Sequence, residues 1–148
     1  FPSYVATSDV ELTSFLCKGV QVPASTIAPI AIPFRGRQLQ MAGDRTFEPL
    51  SLTIINDVDF QVRNAFESWA NGINNFATNT GLANMNDYIC DVVVEQLNKA
   101  GEVTKRYDFR GCWPSSISTI DLNYDSENTI EEFTVELQVQ YWESNTTS

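Results

Sequence analysis

Between Phe133 and Tyr141 apolar and polar residues alternate without a break. Phe133, Val135, Leu137, Val139 and Tyr141 fall on one side, and Thr134, Glu136, Gln138 and Gln140 on the other. A period of two is the signature of a strand with one face in a core. Upstream, Ile120, Leu122 and Tyr124 alternate with Thr119, Asp121 and Asn123, and the polar run Asp125-Ser126-Glu127-Asn128 reads as the turn between two such strands. Gly111-Cys112-Trp113-Pro114 is expected to break the strand before them. Leu50–Ile55 is a further strand, and Tyr88–Leu97 and Val103–Phe109 form a hairpin about the turn Asn98-Lys99-Ala100-Gly101. Glu11–Lys18 is expected to be a strand that ends before Val22-Pro23. From Ala24 to Arg45 the pattern is interrupted by Pro29, Pro33, Gly36 and Gly43. Prolines avoid central strands, so this stretch reads as a long, irregular strand-and-loop excursion.

One segment changes period. Val62, Phe66, Trp69, Ile73 and Phe76 share a helical face, and Asn56-Asp57-Val58-Asp59 ahead of them supplies capping groups. The Asn/Thr/Gly-rich residues 71–86 are then a loop, and residues 144–148 a frayed tail. The pattern predicts one mainly β domain over 1–148, a sandwich or barrel-like fold with one flanking α-helix and an extended Pro-rich excursion.

At 148 residues such a domain buries roughly 68–70% of its unfolded surface without help from metals or disulfides. The formal net charge is −10, with no Lys or Arg from Gly111 to Ser148. Sustained grip on nucleic-acid phosphates needs clustered cations, so that function is disfavoured, as is docking on anionic membranes. Passage of DNA along a like-charged channel is compatible with this balance. The three cysteines, Cys17, Cys90 and Cys112, have no C-x-x-C spacing and read as reduced, buried thiols. No apolar run is long enough to span a membrane and no signal-peptide pattern is present, so membrane insertion is not expected. The chain opens on Phe1 rather than Met, which leaves open whether sequence precedes it.

Histidine is absent, which removes the commonest general base and metal ligand. No catalytic, cofactor-binding or metal-binding residue is assigned. Asp121, Asn123, Asp125 and Glu132 match positions one, three, five and twelve of an EF-hand loop, but Ser126 stands where glycine belongs and no helices flank the segment. A solvated hairpin accounts for them better. Asp57 and Asp59 are explained by a helix start. Asn145-Thr146-Thr147 is a glycosylation sequon that matters only in a secretory lumen.

Three features go beyond an isolated β-domain. Arg35, Arg37 and Arg45 cluster in the excursion, far in sequence from the acidic C-terminal third; this is either a solvated surface or the complementarity of head-to-tail assembly. The excursion also carries Ile27, Ile30, Ile32, Phe34, Leu39 and Met41, which either fold back or reach a neighbouring subunit. Trp142 falls on the polar side of the last strand, a mild sign of an interface.

Ala42-Gly43-Asp44-Arg45-Thr46-Phe47 with Leu52-Thr53-Ile54-Ile55-Asn56-Asp57 resembles a signature of the tail tube proteins of contractile-tailed bacteriophages. So do Gly111-Cys112-Trp113-Pro114 with Leu122 to Ile130, and the terminal Phe133-x-Val135-x-Leu137-x-x-x-Tyr141-Trp142-Glu143. The blocks lie in the family's order and the likeness runs from near Phe1 to Glu143; the family's longer N-terminal segment is not represented. The resemblance implies a non-enzymatic virion subunit, assembled in the host cytoplasm. Six copies would form a ring, and rings would stack head to tail into a hollow tube with a continuous inner β-barrel. The implied partners are the sheath protein, the tape-measure protein, and the baseplate tube-initiator and tail terminator proteins. Double-stranded DNA would pass through without specific binding. A lumen for DNA should avoid binding phosphate. The candidates for its lining are Thr119, Asp121 and Asn123, Ser51 and Thr53, Gln38 and Gln40 where the excursion is a strand, and Glu136. The candidates for subunit contact are Arg35, Arg37, Arg45, Phe34 and Trp142. Alternatives are a tube-initiator ring protein at the baseplate, an inner-tube subunit of a secretion system or bacteriocin, a monomeric carbohydrate- or protein-binding β-module, and, least favoured, an enzyme.

Overall fold

The computed structural model describes residues 1–5, 8–123, 125 and 129–147, without the side chains of 8–10 and 15. In chain order the elements are α1 (Ser8–Leu16), β1 (Cys17–Gln21), β2 (Ser25–Phe34), β3 (Arg37–Phe47), β4 (Leu50–Ile55), α2 (Gln61–Ile73), β5 (Cys90–Leu97), β6 (Val103–Ile117), β7 (Glu132–Gln138) and β8 (Tyr141–Ser144), with a short 3-10 turn at Met85–Asp87. The fold is mainly β, as the alternation predicts.

The main sheet runs β1-β4-β7-β6-β5, with β8 also on β6, all antiparallel. The expected alternation is clearest in β4 and β7. Leu50, Leu52 and Ile54 face Leu137, Val135 and Phe133 across the pair, and all six are buried. Helix α2 covers them with Val62, Ala65, Phe66 and Trp69. Trp69 donates its indole N–H to the Tyr88 carbonyl at 2.7 Å, so the polar end of this large ring is satisfied inside the core.

Gly111 to Pro114 does not end a strand. β6 continues through it for 15 residues, pairing with β5 and β8 in its first part and with β7 after Trp113. Gly111 has φ +64 and the Gln140 Cγ lies 2.6 Å from where a Cβ would stand, so glycine permits both the bend and the close approach. The Asp91 carboxylate fastens the bend, accepting the Gly111 N–H at 3.1 Å and the Arg110 guanidinium at 2.8 Å. These bonds hold its carboxyl below the usual range.

Several expectations are corrected. Glu11–Lys18 is the end of α1 and the start of β1; Leu12 and Leu16 of the helix pack on the core. The excursion is a hairpin, β2 with β3, with a register shift between Ile27 and Pro29, turned by Arg35 and Gly36, both at positive φ as a two-residue hairpin turn requires. Pro29 and Pro33 are tolerated because β2 pairs on one side only. Asp57 and Asp59 do not cap α2: Phe60 holds the cap position with left-handed backbone, and Asp57 accepts from Val58 instead. Phe76 lies past the helix and is 85% exposed. Residues 118–123 form no strand, and Leu122 is exposed. The expected alternation at Tyr124, the turn residues 126–128 and the tail residue Ser148 lie outside the described residues. The last strand is broken at Val139-Gln140, where Gln140 donates to the Arg110 carbonyl. That break flips the faces: Tyr141 is exposed, and Trp142 packs edge-on against Phe47 and Tyr107. The tail is a hydrogen-bonded turn about Ser144 through Thr147.

Leu137 is 1% exposed, so Leu137→Ala should cost about 2–5 kcal/mol in chemical denaturation; a loss of a few tenths would contradict its burial. Because the Asp91 carboxyl is held low in the folded state, its contribution is complete above about pH 4 and lost as pH falls through the lowered value. Asp91→Asn should therefore lose less stability than the native protein between pH 5 and pH 2, measured by denaturant titration at each pH.

Candidate functional site

The alternation that buries one side of β4 and β7 turns Ser51, Thr53 and Ile55 of β4 and Glu132, Thr134, Glu136 and Gln138 of β7 to the other. Across β1, β4, β7 and the second half of β6, Gln21 lies beside Ser51, Ser51 beside Glu136, and Glu136 beside Ser116. In the next row Gly19, Thr53 and Thr134 are neighbours. Thr134 is tied to the following segment through its N–H to the Ser118 hydroxyl at 2.8 Å and its carbonyl to the Ser118 N–H at 2.8 Å. The result is a shallow wall of small hydroxyls with Glu132 and Glu136 as its carboxylates and Lys18 as its cation, Lys18 lying on Glu132.

Of the residues read from sequence as lining candidates, Ser51, Thr53 and Glu136 come together on this wall. Thr119, Asp121 and Asn123 lie beyond the paired strands: they border a shallow polar cleft that meets the wall at Glu132, with Thr129 also lining it, and the Asn123 side chain accepts the Asp125 N–H at 3.0 Å. Gln38 and Gln40 are in a strand, but it is β3 of the separate hairpin, on the face shared with Pro33 and Ala31. Sequence reasoning missed Lys18, Gln21 and Ser116. Strand β1 was hidden behind α1, and Ser116 behind the expected break at Gly111.

The β2–β3 hairpin stands apart from the main sheet as its own two-stranded sheet. Ile30, Ile32, Phe34, Leu39 and Met41 share one face of it and all are exposed. Arg37 is on that face and Arg45 opposite Ile27, while Arg35 at the turn lies over the Phe34 ring at 5.3 Å. Among the described residues none of these three arginines forms an ion pair within the chain. Trp142 is partly buried, its ring packed among Phe47, Tyr107 and Phe109.

The thiols offer no activated nucleophile. Burial pushes all three up, and Cys112 reaches about 12. No group of potential metal ligands gathers among the described residues, and no helix there is long and apolar enough to cross a membrane.

The fold, a bent antiparallel sheet with a covering helix and a two-stranded hairpin, is shared with chains of contractile injection systems. The chain superimposes with TM-score 0.70 on the tube-terminating cap of the anti-feeding prophage, at 17% identity over 89% of this chain and 80% of that one. It superimposes with TM-score 0.64 on a chain of the PVC sheath–tube complex in the extended state, at 16% identity over 87% and 80%. Within that class the chain belongs to the phage tail tube protein family, whose model matches residues 3–145. It is 33% identical to the tail tube protein of Serratia phage KSP90 over 93% of this chain and 78% of that protein. It is 34% identical to tail tube protein gp19 of Enterobacteria phage T4 over 88% and 80%. It is accordingly a structural component of the virion tail.

Proposed function

We propose that this subunit closes with five copies of itself into a ring, that rings stack head to tail, and that the polar wall faces the lumen of the resulting tube. The observation that carries this reading is the pair of open edges bounding the wall. Among the described residues, β1 pairs on one side only, and β6 beyond Trp113 pairs only with β7. The four strands alternate in direction, so β1 of one copy can add to β6 of the next and continue the antiparallel order. An unpaired edge is an aggregation hazard unless it is covered, and closure of the ring covers both.

The wall suits a conduit for DNA. Short hydroxyls hydrate well and Glu136 repels phosphate, so the duplex meets no chain of cationic contacts along its path. Asp121, Thr119 and Asn123 border the same edge near Glu132 and are assigned to a rim of the lumen, while Gln38 and Gln40 belong to the hairpin. The exposed apolar face of the hairpin, with Phe34, Arg37 and Arg45 beside it, is assigned to a neighbouring copy, since a two-stranded hairpin is marginal alone. The protein in this reading is one tube domain that catalyses no reaction, surrounded by sheath protein, enclosing a tape-measure protein during assembly, and bounded by initiator and terminator proteins. Relatives at about one-third identity named as tail tube proteins favour the main tube over an initiator or terminator.

Electron microscopy of tubes grown from purified protein tests the arrangement: the polar side of β4 and β7 should line the lumen, and an outward-facing wall would overturn the reading. Glu136→Lys should leave the subunit folded yet slow DNA release from virions; unchanged release from particles shown to contain the lysine would remove Glu136 from the lumen. Arg45→Glu should stop tube growth while leaving monomer stability unchanged. Lost monomer stability with normal growth would make Arg45 an internal structural residue instead.

A further inference from the structure

The wall carries one cation, and the structure places a carboxylate on it. β1, β4, β7 and the second half of β6 contribute no Lys or Arg other than Lys18. Its amine meets the Glu132 carboxylate at 2.5 Å, from the opposite side of β4 and 114 residues away in sequence. Lys18 is on this face because of a β-bulge. Cys17 pairs with Ile54 and Gly19 with Thr53, so Lys18 is the extra residue between them. Counted back from the outward Gly19, a regular strand would turn Lys18 inward against Ile54; the bulge sends Lys18 and Gly19 to the same side. The pair is solvent-exposed, with 58% and 30% of the two side chains accessible, and exposed ion pairs add little to stability. Its significance therefore lies in what each charge would do without the other.

We propose that Glu132 masks Lys18, keeping the only fixed cation of the lumen wall from binding the DNA backbone. This rests on the assignment of the wall to the lumen. A free ammonium repeated in every subunit of every ring would be a regular ladder of phosphate sites, and multiple weak phosphate contacts sum to tight, salt-sensitive binding. With Glu132 in place, a phosphate must displace a carboxylate already in contact. Lys18 is then available to hold β7 to β1 across the sheet while remaining silent to the cargo.

The test uses tubes assembled from the native protein, from Glu132→Gln, and from the double variant Lys18→Gln/Glu132→Gln. A short fluorescent DNA duplex is co-sedimented with each at low and high salt, and the same tubes are imaged by cryo-electron microscopy. Glu132→Gln tubes should retain on the order of tenfold more duplex at low salt, the excess vanishing at high salt and in the double variant. If Glu132→Gln subunits do not assemble alone, mixed tubes with native subunits carry the measurement. Equal retention by native and Glu132→Gln tubes, with the wall imaged on the lumen, overturns the masking while leaving the tube reading intact. A wall imaged on the outside overturns the lumen assignment itself. Excess retention that persists in the double variant would show that Lys18 is not the group released.

Discussion

The passage of β6 through Gly111 is the constraint on which the rest of the subunit depends. One strand serves two sets of partners, and it can do so only by bending where β5 and β8 stop and β7 begins. The bend needs positive φ, room for Gln140 to lie against the backbone, and a carboxylate on the freed N–H, which Asp91 supplies. The break at Val139-Gln140 answers it on the neighbouring strand, where β7 gives way to β8 alongside the same bend. Because both strands turn together, the core beneath them stays continuous from Phe109 and Cys112 to Leu137 and Leu50. Because β5 ends at this corner, the far half of β6 is left with an open edge.

Where a residue's neighbours repeat at a fixed period, the sequence discloses the structure. β4 and β7 are legible because each keeps strict alternation over a half-buried sheet, and α2 because Val62, Phe66 and Trp69 follow the helical period. The errors arise where local pattern and tertiary setting disagree. Glu11–Lys18 alternates weakly, which predicts a strand, yet docking of Leu12 and Leu16 on the core accompanies a helix. Pro29 and Pro33 argue against strand only if both edges are paired, and in a two-stranded arm they are not. Glycine at 111 resembles a terminator because nothing local shows that a strand bends there rather than ends. The face of Trp142 departs from the local pattern through the same corner: a break in a strand reverses every face after it.

For the candidate site, sequence located the polar faces of β4 and β7 but not the surface they make. A wall is a property of neighbouring strands, and Ser51, Glu136 and Ser116 become adjacent only through register. Gln21 and Lys18 join them from a strand that begins directly after a helix. Thr119, Asp121 and Asn123 show the reverse case: an alternating run that leaves the sheet once Ser118 has spent its hydrogen bonds on Thr134.

Period two gives a strand two independent surfaces, and this subunit uses both. On β7, changing Val135 or Leu137 alters folding, while changing Thr134 or Glu136 alters what the sheet shows to its surroundings, because burial separates the two sets. On the proposed reading, that separation lets the lumen side be tuned for its cargo without disturbing the core. It also explains why the open edges are compatible with a well-packed monomer. The core is closed by α2 and by the bend of β6, whereas among the described residues the outer edges of β1 and of the far half of β6 stay unpaired and the apolar face of the hairpin stays exposed. On the proposed reading, assembly completes the hydrogen bonding of a sheet whose hydrophobic side is already complete. The net charge of −10 opposes nonspecific association, so in that reading contact between subunits is local, at complementary edges and at the arginine-bearing hairpin.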